Sequence, residues 1–246
     1  MRSTTIWALF YQTVGGAVIL PLWFLAYFIT SFKPNYWQKS PTVNQTSAQA
    51  LVIAFWIGYI IPTVAIYLPF WNTDTKQLLV AIWQPAPLYV NVIWAILSRT
   101  LPEPDAQSKS QRSIYWVKAL HFSAVITSAI FHNLLVWHVM SSGENGITFS
   151  GVLVPIRQAD YTMSEVLHFI FKVDFWLIII PALLFCYVAV WDLNELGMTK
   201  IEVGSGLRII GICTLALGPG AALSMTCIWR EDRMRTVALE QDKKAS

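Results

Sequence analysis

Residues 165–191, EVLHFIFKVDFWLIIIPALLFCYVAVW, form an apolar block that only a few polar side chains interrupt. About 20 apolar residues in a helix are enough to cross the roughly 30 Å hydrocarbon layer of a bilayer. The block exceeds that length, so it predicts a transmembrane helix.

Five other apolar blocks of similar length occur along the chain. They cover residues 6–30, 49–71, 77–98, 113–140 and 205–230. We therefore expect an all-α fold, a polytopic helical bundle of six firm transmembrane spans. Residues 1–246 would form one domain, with a soluble tail from about residue 231. The semi-apolar run 147–156 is a candidate seventh membrane element, which would lie at the interface or re-enter the bilayer.

The composition excludes several classes of protein. Hydrophobic residues make up 55% of the chain and charged residues 13%, against roughly 45–50% and about 25% in soluble proteins. The net charge of +3 is small and the basic residues are scattered, so nucleic acid is not an expected partner. The three cysteines lie inside apolar blocks, where neither a disulfide framework nor a metal-binding pair is expected.

The connecting segments say little about orientation in the membrane. Lysine and arginine are distributed almost evenly over the two sides that six spans define. The tripeptide Asn44-Gln45-Thr46 matches a glycosylation acceptor sequence, which favours a lumenal first loop and a cytoplasmic C-terminal tail. We expect a multi-pass protein of the endoplasmic reticulum membrane.

Asp174 is the clearest polar exception within a predicted span. It lies too deep for a short carboxylate to reach the interface. Desolvation disfavours the charged form, so an unpaired carboxyl there would stay protonated and could donate a proton. The alternative is a structural aspartate paired with Lys172, His132 or Arg208.

Glu165 lies upstream of Asp174 on the same predicted helix. It shares one helix face with His168 and Lys172, because the three follow i, i+3, i+7 spacing. Glu165 is a candidate substrate-binding residue. The alternative is that Glu165 and His168 cap the span while Lys172 extends to the interface.

Two histidines mark the fourth predicted span. His121 and His132 are eleven residues apart, about three helical turns, so they project from nearly the same face. Two helical ligands of one metal ion need i, i+4 spacing, so we expect no metal site. His132 is a candidate catalytic residue and His121 a candidate substrate-binding residue, hydrogen-bonded in a cavity; satisfied packing histidines are the alternative.

Interior tryptophans provide candidate walls for a binding site. Trp56, Trp83 and Trp176 lie inside predicted spans. The face of an indole ring attracts a cation, so each is a candidate for contact with a cationic intermediate. Core packing is the alternative for all three.

Two breaks interrupt the predicted helices. In the motif Trp83-Gln84-Pro85-Ala86-Pro87 the prolines remove amide donors, and Gln84 is a candidate partner for the carbonyl groups left over. The motif Gly218-Pro219-Gly220 predicts a second break, of a kind tolerated in membranes where the backbone is buried or lines a cavity.

The order and spacing of these motifs resemble the small integral-membrane terpene cyclases of fungal meroterpenoid and indole-diterpene pathways. The resemblance extends over nearly the whole chain. It is carried by Leu20-Pro21-Leu22, Gly58-Tyr59-Ile60-Ile61-Pro62-Thr63, Trp83-Gln84-Pro85, Lys172-Val173-Asp174-Phe175, Gly218-Pro219-Gly220-Ala221 and Trp229-Arg230-Glu231.

The resemblance implies a cofactor-free enzyme of isomerase or lyase type that protonates an epoxide or alkene on a prenylated small molecule. A cation cascade then closes the rings. This chemistry needs a carboxylic acid in a dry site, aromatic walls and an apolar cavity. Asp174 is the expected acid; Glu231 and Asp232 are further candidates, with an ion pair at the end of the bundle as their alternative.

The resemblance also implies particular partners. The hydrophobic prenylated substrate would enter from the lipid bilayer, and the protein would associate with other membrane-bound enzymes of its pathway. The alternative, from a different class, is a component that transports protons or small molecules, since Asp174, Lys172, His121 and His132 could form a polar path.

The chain departs from the family pattern at one position. The family uses two acidic residues, one of them in the N-terminal third, whereas this chain has no Asp or Glu before Asp74. The corresponding segment reads Asn44-Gln45-Thr46-Ser47-Ala48-Gln49. This implies a changed proton donor, a different cyclisation or isomerisation, or lost activity.

Overall fold

In a computed structural model of the protein, residues 4–31, 44–102, 109–143, 147–156 and 162–245 are described. Every regular element within these ranges is a helix, and none of these residues lies in a strand. The all-α prediction is confirmed over that part of the chain. Helices suit apolar sequences in a membrane because a helix satisfies its own backbone hydrogen bonds without water.

The chain forms eleven α-helices within the described ranges, and a π-helical turn, Trp56–Ile60, joins the third to the fourth. In chain order they are α1 (Thr4–Val14), α2 (Gly16–Ser31), α3 (Gln45–Phe55), α4 (Ile61–Ile66), α5 (Thr73–Trp83), α6 (Ala86–Thr100), α7 (Lys109–Ser141), α8 (Phe149–Leu153), α9 (Met163–Glu195), α10 (Val203–Leu217) and α11 (Pro219–Ala245).

Three segments in the described part of the chain are long and apolar enough to cross a membrane: Gln45–Ile66, Ser113–Ser141 and Met163–Glu195. They correspond to the second, fourth and fifth predicted spans. Helices α5 and α6 add a fourth if the pair, bent by 53° at the prolines, is counted as one span. Six uninterrupted spans are not confirmed.

The first and sixth predicted spans are each broken by a glycine. Gly15 has a φ angle of 109° and Gly218 a φ angle of 88°. Residues other than glycine rarely adopt such positive values. The apolar pieces that follow or precede these breaks, Gly16–Thr30 and Val203–Leu217, are shorter than a full span. Helix α11 continues to Ala245, so the predicted soluble tail is helical throughout its described length.

The candidate seventh membrane element contains the short helix α8. The Thr148 hydroxyl accepts a hydrogen bond from the Gly151 amide at 3.0 Å and caps it. Trp176 of α9 donates from Nε1 to the Leu153 carbonyl at 2.7 Å. Helix α8 is therefore tied to α9, and its position relative to the bilayer stays a prediction.

The contacts divide the chain into two compact units, Met1–Val14 with Lys39–Ser123 and Gly15–Gln38 with Ala124–Ser246. The prediction of a single domain over residues 1–246 stays a prediction.

In the first unit, α3 and the π-helical turn pack on α6. A Cβ atom on Gly58 would lie 2.8 Å from the Val90 backbone nitrogen, so only glycine allows this approach.

The second unit is built around α9. Helices α2, α10 and α11 pack against it, and its core contains Phe24, Phe185, Cys186, Val190 and Ile210. Gly206 allows α10 to approach α9 closely, because a Cβ atom there would lie 2.6 Å from Val190 Cγ1.

Candidate functional site

A buried cation and a carboxyl group lie side by side on α11. Arg230 is only 8% exposed, and its Nη1 atom lies 3.7 Å from Glu231 Oε1. The guanidinium carbon lies over the Tyr27 ring, 5.8 Å from the ring centroid, within the range of a cation–π contact. Arg230 also acts electrostatically on Asp192 of α9. This group joins three helices of the second unit at one point.

The surroundings of Glu231 raise the pKa of its carboxyl. Glu231 lies beyond the last predicted span and is half-buried. Burial raises the pKa of its carboxyl; the guanidinium of Arg230 acts in the opposite direction, and the negative charge of Asp232 adds to the increase. Because desolvation outweighs the neighbouring cation, this carboxyl keeps its proton to higher pH than an ordinary glutamate.

An aromatic cluster surrounds the Tyr27 side of this group. It consists of Trp23, Phe24, Tyr27 and Phe28 of α2 with Phe185 of α9. Neighbouring ring centroids in the cluster are separated by 5.1 to 6.3 Å, the spacing of direct ring contacts. The ring faces of the cluster can stabilise positive charge, as the face of Tyr27 does for Arg230.

An apolar cavity of about 240 Å³ lies among α9, α10 and α11. Its lining includes Val190, Gly206, Ile209, Ile210, Ala222 and Trp229. The hydroxyl of Thr226, which also lines it, already donates to the Ala222 carbonyl at 2.8 Å. The lining is therefore mainly hydrocarbon, and it also contains Trp229, whose Nε1 atom is buried and has no hydrogen-bond partner among the described residues.

Asp174, the acid expected from the sequence, lies elsewhere on α9. It is half-buried and makes no hydrogen bond or ion pair with another described residue. Of its expected partners, Arg208 donates to Ser205 Oγ at 3.0 Å and His132 bonds a backbone carbonyl. Its role as the acid stays a prediction.

His132 lies at the break between α10 and α11. Its Nε2 atom is 2.9 Å from the Leu215 carbonyl, and since a carbonyl only accepts, Nε2 carries the proton. Asn133 Nδ2 donates to the Ala216 carbonyl at 3.1 Å, and Ser128 Oγ accepts from the Ala221 amide at 3.0 Å. Three polar side chains of α7 thus satisfy backbone groups that the break leaves unpaired.

The other histidine and the glutamate of the predicted site have different surroundings. His121 is half-buried in the first unit and forms no hydrogen bond with another described residue. Glu165 Oε2 accepts from the amide and the hydroxyl of Thr162, at 2.8 and 2.7 Å, and completes a capping box. Glu165 therefore has the capping role given as its alternative.

Two of the predicted tryptophans belong to hydrogen-bonded contacts of the first unit. Trp83 Nε1 donates to Thr63 Oγ1 at 2.9 Å, and its ring lies 6.1 Å from that of Tyr59. Trp56 Nε1 donates to Ser123 Oγ at 2.9 Å. Both side chains are therefore oriented by polar partners as well as by packing.

Gln84 is not the carbonyl partner seen at the proline motif. Its side chain forms no hydrogen bond within the described ranges. Asn91 of α6 donates from Nδ2 to the Pro87 carbonyl at 2.7 Å, but this is not one of the carbonyls that the missing proline amides leave over, which belong to residues 81 and 83. The role of Gln84 as a candidate substrate-binding residue stays a prediction.

Several residues of the arrangement were not singled out in the sequence. Tyr27 and Asp192 join Arg230 only through the packing of α2, α9 and α11.

Two buried polar residues of the first unit lack partners. Gln45 and Thr46 are 8% and 4% exposed, and neither Gln45 Oε1 nor Thr46 Oγ1 has a hydrogen-bond partner among the described residues. Both belong to the segment in which the resemblance led us to expect an acid. The described residues contain no group of three or more His, Cys, Asp or Glu side chains suited to a metal ion.

The described residues form helices, some of them apolar and long enough to cross a membrane, and Arg230 joins the Glu231 carboxyl to the ring of Tyr27. The sequence profile of the CtvD domain matches residues 1–235, and the chain belongs to this family of fungal terpene cyclases. The resemblance stated from the motifs is confirmed.

The chain spans less than two thirds of the length of each of three relatives that it matches. Terpene cyclase ascI of Acremonium egyptiacum is 26% identical over 94% of the chain, which spans 62% of that relative. FAD-dependent monooxygenase verC1 of Penicillium polonicum is 26% identical over 93% of the chain, which spans only 28% of it. Terpene cyclase ctvD of Aspergillus terreus is 33% identical over 38% of the chain, or 28% of its own length. No solved structure matches the chain.

Proposed function

We propose that this protein is a membrane-embedded terpene cyclase in which the Glu231 carboxyl starts ring closure on a prenylated, meroterpenoid-type small molecule. The observation that carries the proposal is the junction at Arg230, which brings Glu231 to the edge of the aromatic cluster through Tyr27. Membership of the CtvD family supports the reaction class. Burial of Glu231 supports its role, because it raises the pKa of the carboxyl and so extends to higher pH the range in which a proton can be donated.

The reaction balances without an added reagent. Glu231 donates its proton to an epoxide oxygen, or to an alkene carbon, and the C–O bond or the π bond breaks. Electrons of the next alkene form a new C–C bond, and the cation moves along the chain until a carbon next to it loses a proton to a carboxylate. The product is an isomer of the substrate, so the proposal requires neither an electron carrier nor a metal ion.

The other side chains of the group have supporting roles. Ring faces of the cluster stabilise the migrating cation, which lowers the barrier relative to water. Arg230, held between Tyr27 and Glu231, orients the acid and keeps it next to the rings. Asp192 is a second carboxylate near the same cation and would receive the proton released at the end.

We also propose where the protein works. Its hydrophobic substrate would enter from the lipid bilayer, and the membrane would be that of the endoplasmic reticulum. The enzyme would belong to a fungal secondary-metabolite pathway. The verC1 relative supports association with other enzymes of the pathway, because a region like this chain makes up 28% of a longer FAD-dependent monooxygenase. An enzyme of that class would supply an epoxide.

Microsomes that contain the protein test the function. They should convert a farnesyl-linked aromatic acid or ester with a terminal epoxide to a cyclic isomer, detected by mass spectrometry as a retention shift without a change of mass. Microsomes with Glu231→Gln should not do so at any pH, whereas Asp232→Asn, the matched control one residue away, should retain conversion at low pH, below the pKa of Glu231. A panel of such substrates without any new isomer would refute the proposal.

A further inference from the structure

The part of α9 that can cross hydrocarbon is shorter than the helix itself. Residues 175–191 contain no Asp, Glu, Lys, Arg or His, and Asp174 and Asp192 flank them. At 1.5 Å per residue they extend for about 26 Å, close to the roughly 30 Å of a hydrocarbon layer. Trp176 and Trp191 lie at the two ends of this stretch and are 40% and 39% exposed. Tryptophan is enriched at membrane–water interfaces, so Trp176 marks one surface of the layer and Trp191 the other.

Helix α8 is held at the level of Trp176. The indole Nε1 donates to the Leu153 carbonyl at 2.7 Å, which fixes the last residue of α8 beside this end of the apolar stretch. Met163, the first residue of α9, precedes the stretch by twelve residues, about 18 Å further toward water along the helix. Leu153 therefore lies at the boundary of the hydrocarbon layer and not at its middle.

The backbone after α8 argues against a deeper position. Residues 154–156 are not helical, and Val154 and Ile156 are 44% and 61% exposed. Irregular backbone that is exposed to lipid does not occur within the hydrocarbon layer, because the layer offers no hydrogen-bond partners for its polar groups. Thr148 and Ser150 are exposed as well, and both carry a hydroxyl. Of the two positions expected from the sequence, re-entry into the bilayer is therefore disfavoured.

We infer that residues 147–156 form an interfacial element, which binds the phospholipid surface of the bilayer at the Trp176 end of α9. The outer edge of the hydrocarbon covers its four exposed hydrophobic side chains: Ile147, Phe149, Val154 and Ile156. The polar groups between them remain in the head-group region, since the boundary of a bilayer accommodates both kinds of surface. This inference does not depend on the proposed function.

The interfacial element and the group at Arg230 lie near opposite surfaces of the bilayer. Asp192, on which Arg230 acts, follows Trp176 by sixteen residues, about 24 Å along α9. Asp174 precedes Trp176 by only two residues. It therefore lies beside the boundary, where water and head groups reach a carboxylate, whereas the sequence had predicted a deep position.

Spin-label measurements test the depth of the element. Phe149→Cys and Ile156→Cys each carry a nitroxide in the full-length protein, in which Cys186, Cys213 and Cys227 are replaced by alanine. The protein is reconstituted in phosphatidylcholine vesicles. Oxygen collects in the hydrocarbon and a nickel chelate stays in water, so the ratio of the two collision rates reports the depth of the label.

Two reference positions on α9 calibrate this depth. Leu184→Cys reports the middle of the apolar stretch and Met163→Cys reports water, and these residues are exposed to 54% and 77%. The labels on the element should lie between the references, within about 5–10 Å of the boundary. A depth equal to that at Leu184 would make the segment re-entrant, and a ratio equal to that at Met163 would place it in water. Either result would overturn the inference.

The contact with Trp176 has a matched control. Trp176→Phe removes the donor to the Leu153 carbonyl, so the spectrum of the label at Ile156 should show increased motion. Trp191→Phe, at the other end of the stretch and almost equally exposed, should leave that spectrum unchanged. An equal response in the two variants would mean that Trp176 does not set the level of α8, and the inference would fall with it.

A crosslinking measurement keeps the three cysteines and covers the case in which the alanine variant does not fold. A photoreactive benzophenone amino acid in place of Phe149, in microsomes, should become linked to phospholipid, seen as a mass increase of one lipid molecule. The same amino acid in place of Met163, on the water side, should give no lipid adduct. A covalent dimer would assign the exposed face to a second copy of the chain. That outcome, or the absence of any adduct at Phe149, would contradict the interfacial position.

Discussion

Asp174 and Glu231 are both half-buried carboxylic acids in the second unit, yet their surroundings differ. Asp174 lies within an apolar helix and has no polar partner among the described residues. Glu231 lies at the end of the apolar region, where Arg230, Asp192 and Tyr27 converge. On the proposed function, the catalytic acid is marked by the groups that hold it in place and stabilise the charge it creates, and not by its depth in a span.

Exchange of each acid for its amide tests this comparison most directly. Glu231→Gln should lower turnover by about 10³-fold, within the range for loss of a general acid. Asp174→Asn should change turnover by less than about threefold, because no described group depends on that carboxylate. The measurement is the initial rate of cyclic product per folded enzyme. The reverse result would make Asp174 the acid, as the sequence predicted.

The pH dependence sharpens the comparison. Since Glu231 must be protonated to donate, kcat/KM should be constant at low pH and fall as the pH rises through the raised pKa of Glu231. Arg230 lowers this pKa, so Arg230→Met should move the falling limb to higher pH. Asp232 raises it, so Asp232→Asn should move the limb to lower pH.

Controls for the pH profile come from the same group of residues. Arg230→Lys keeps the positive charge and should leave the limb close to its original position while changing kcat through poorer orientation. Asp192 of α9 and Tyr27 of α2 also face Arg230, so Asp192→Asn shows whether the limb reports a neighbouring carboxylate. An unchanged limb in both Arg230→Met and Asp232→Asn would exclude Glu231 as its origin.

His132 offers a third polar position, where the structure favours a structural role. His132→Ala removes the donor to the Leu215 carbonyl and should lower the free energy of unfolding by about 1–3 kcal/mol. His138→Ala, at an exposed position of the same helix, should change it by less than about 0.5 kcal/mol. Thermal unfolding in detergent measures both. Lost turnover with unchanged stability in His132→Ala would instead support the catalytic role.

Two buried threonines give a further contrast between a hydrogen-bonded and an unpaired side chain, with the smallest expected effect on stability. Thr226 Oγ1 donates to the Ala222 carbonyl, whereas Thr46 Oγ1 has no partner among the described residues. Thr226→Val should destabilise the protein by about 1 kcal/mol, and Thr46→Val should stabilise it by a similar amount. Denaturant unfolding of the two variants compares them. Destabilisation by Thr46→Val would mean that its hydroxyl is used.

The length and hydrophobicity of the apolar blocks were enough to predict the helical class and the positions of the three longest apolar segments. The uninterrupted blocks at 113–140 and 165–191 correspond closely to α7 and α9. The first and sixth blocks contain Gly15 and Gly218, whose positive φ angles hydropathy does not detect. The family followed from short motifs whose order is a property of the chain alone.

The amino-acid sequence alone was thus sufficient to predict an apolar, all-helical protein of this family, because hydrophobic content and motif order can be read along the chain. Which carboxylic acid is proposed to be catalytic could not be read along the chain. Tyr27, Asp192 and Arg230 are far apart in sequence and meet only when α2, α9 and α11 pack, and burial by that packing raises the pKa of Glu231. Desolvation and cation–π contact depend on neighbours in space, so they arise only in the folded protein.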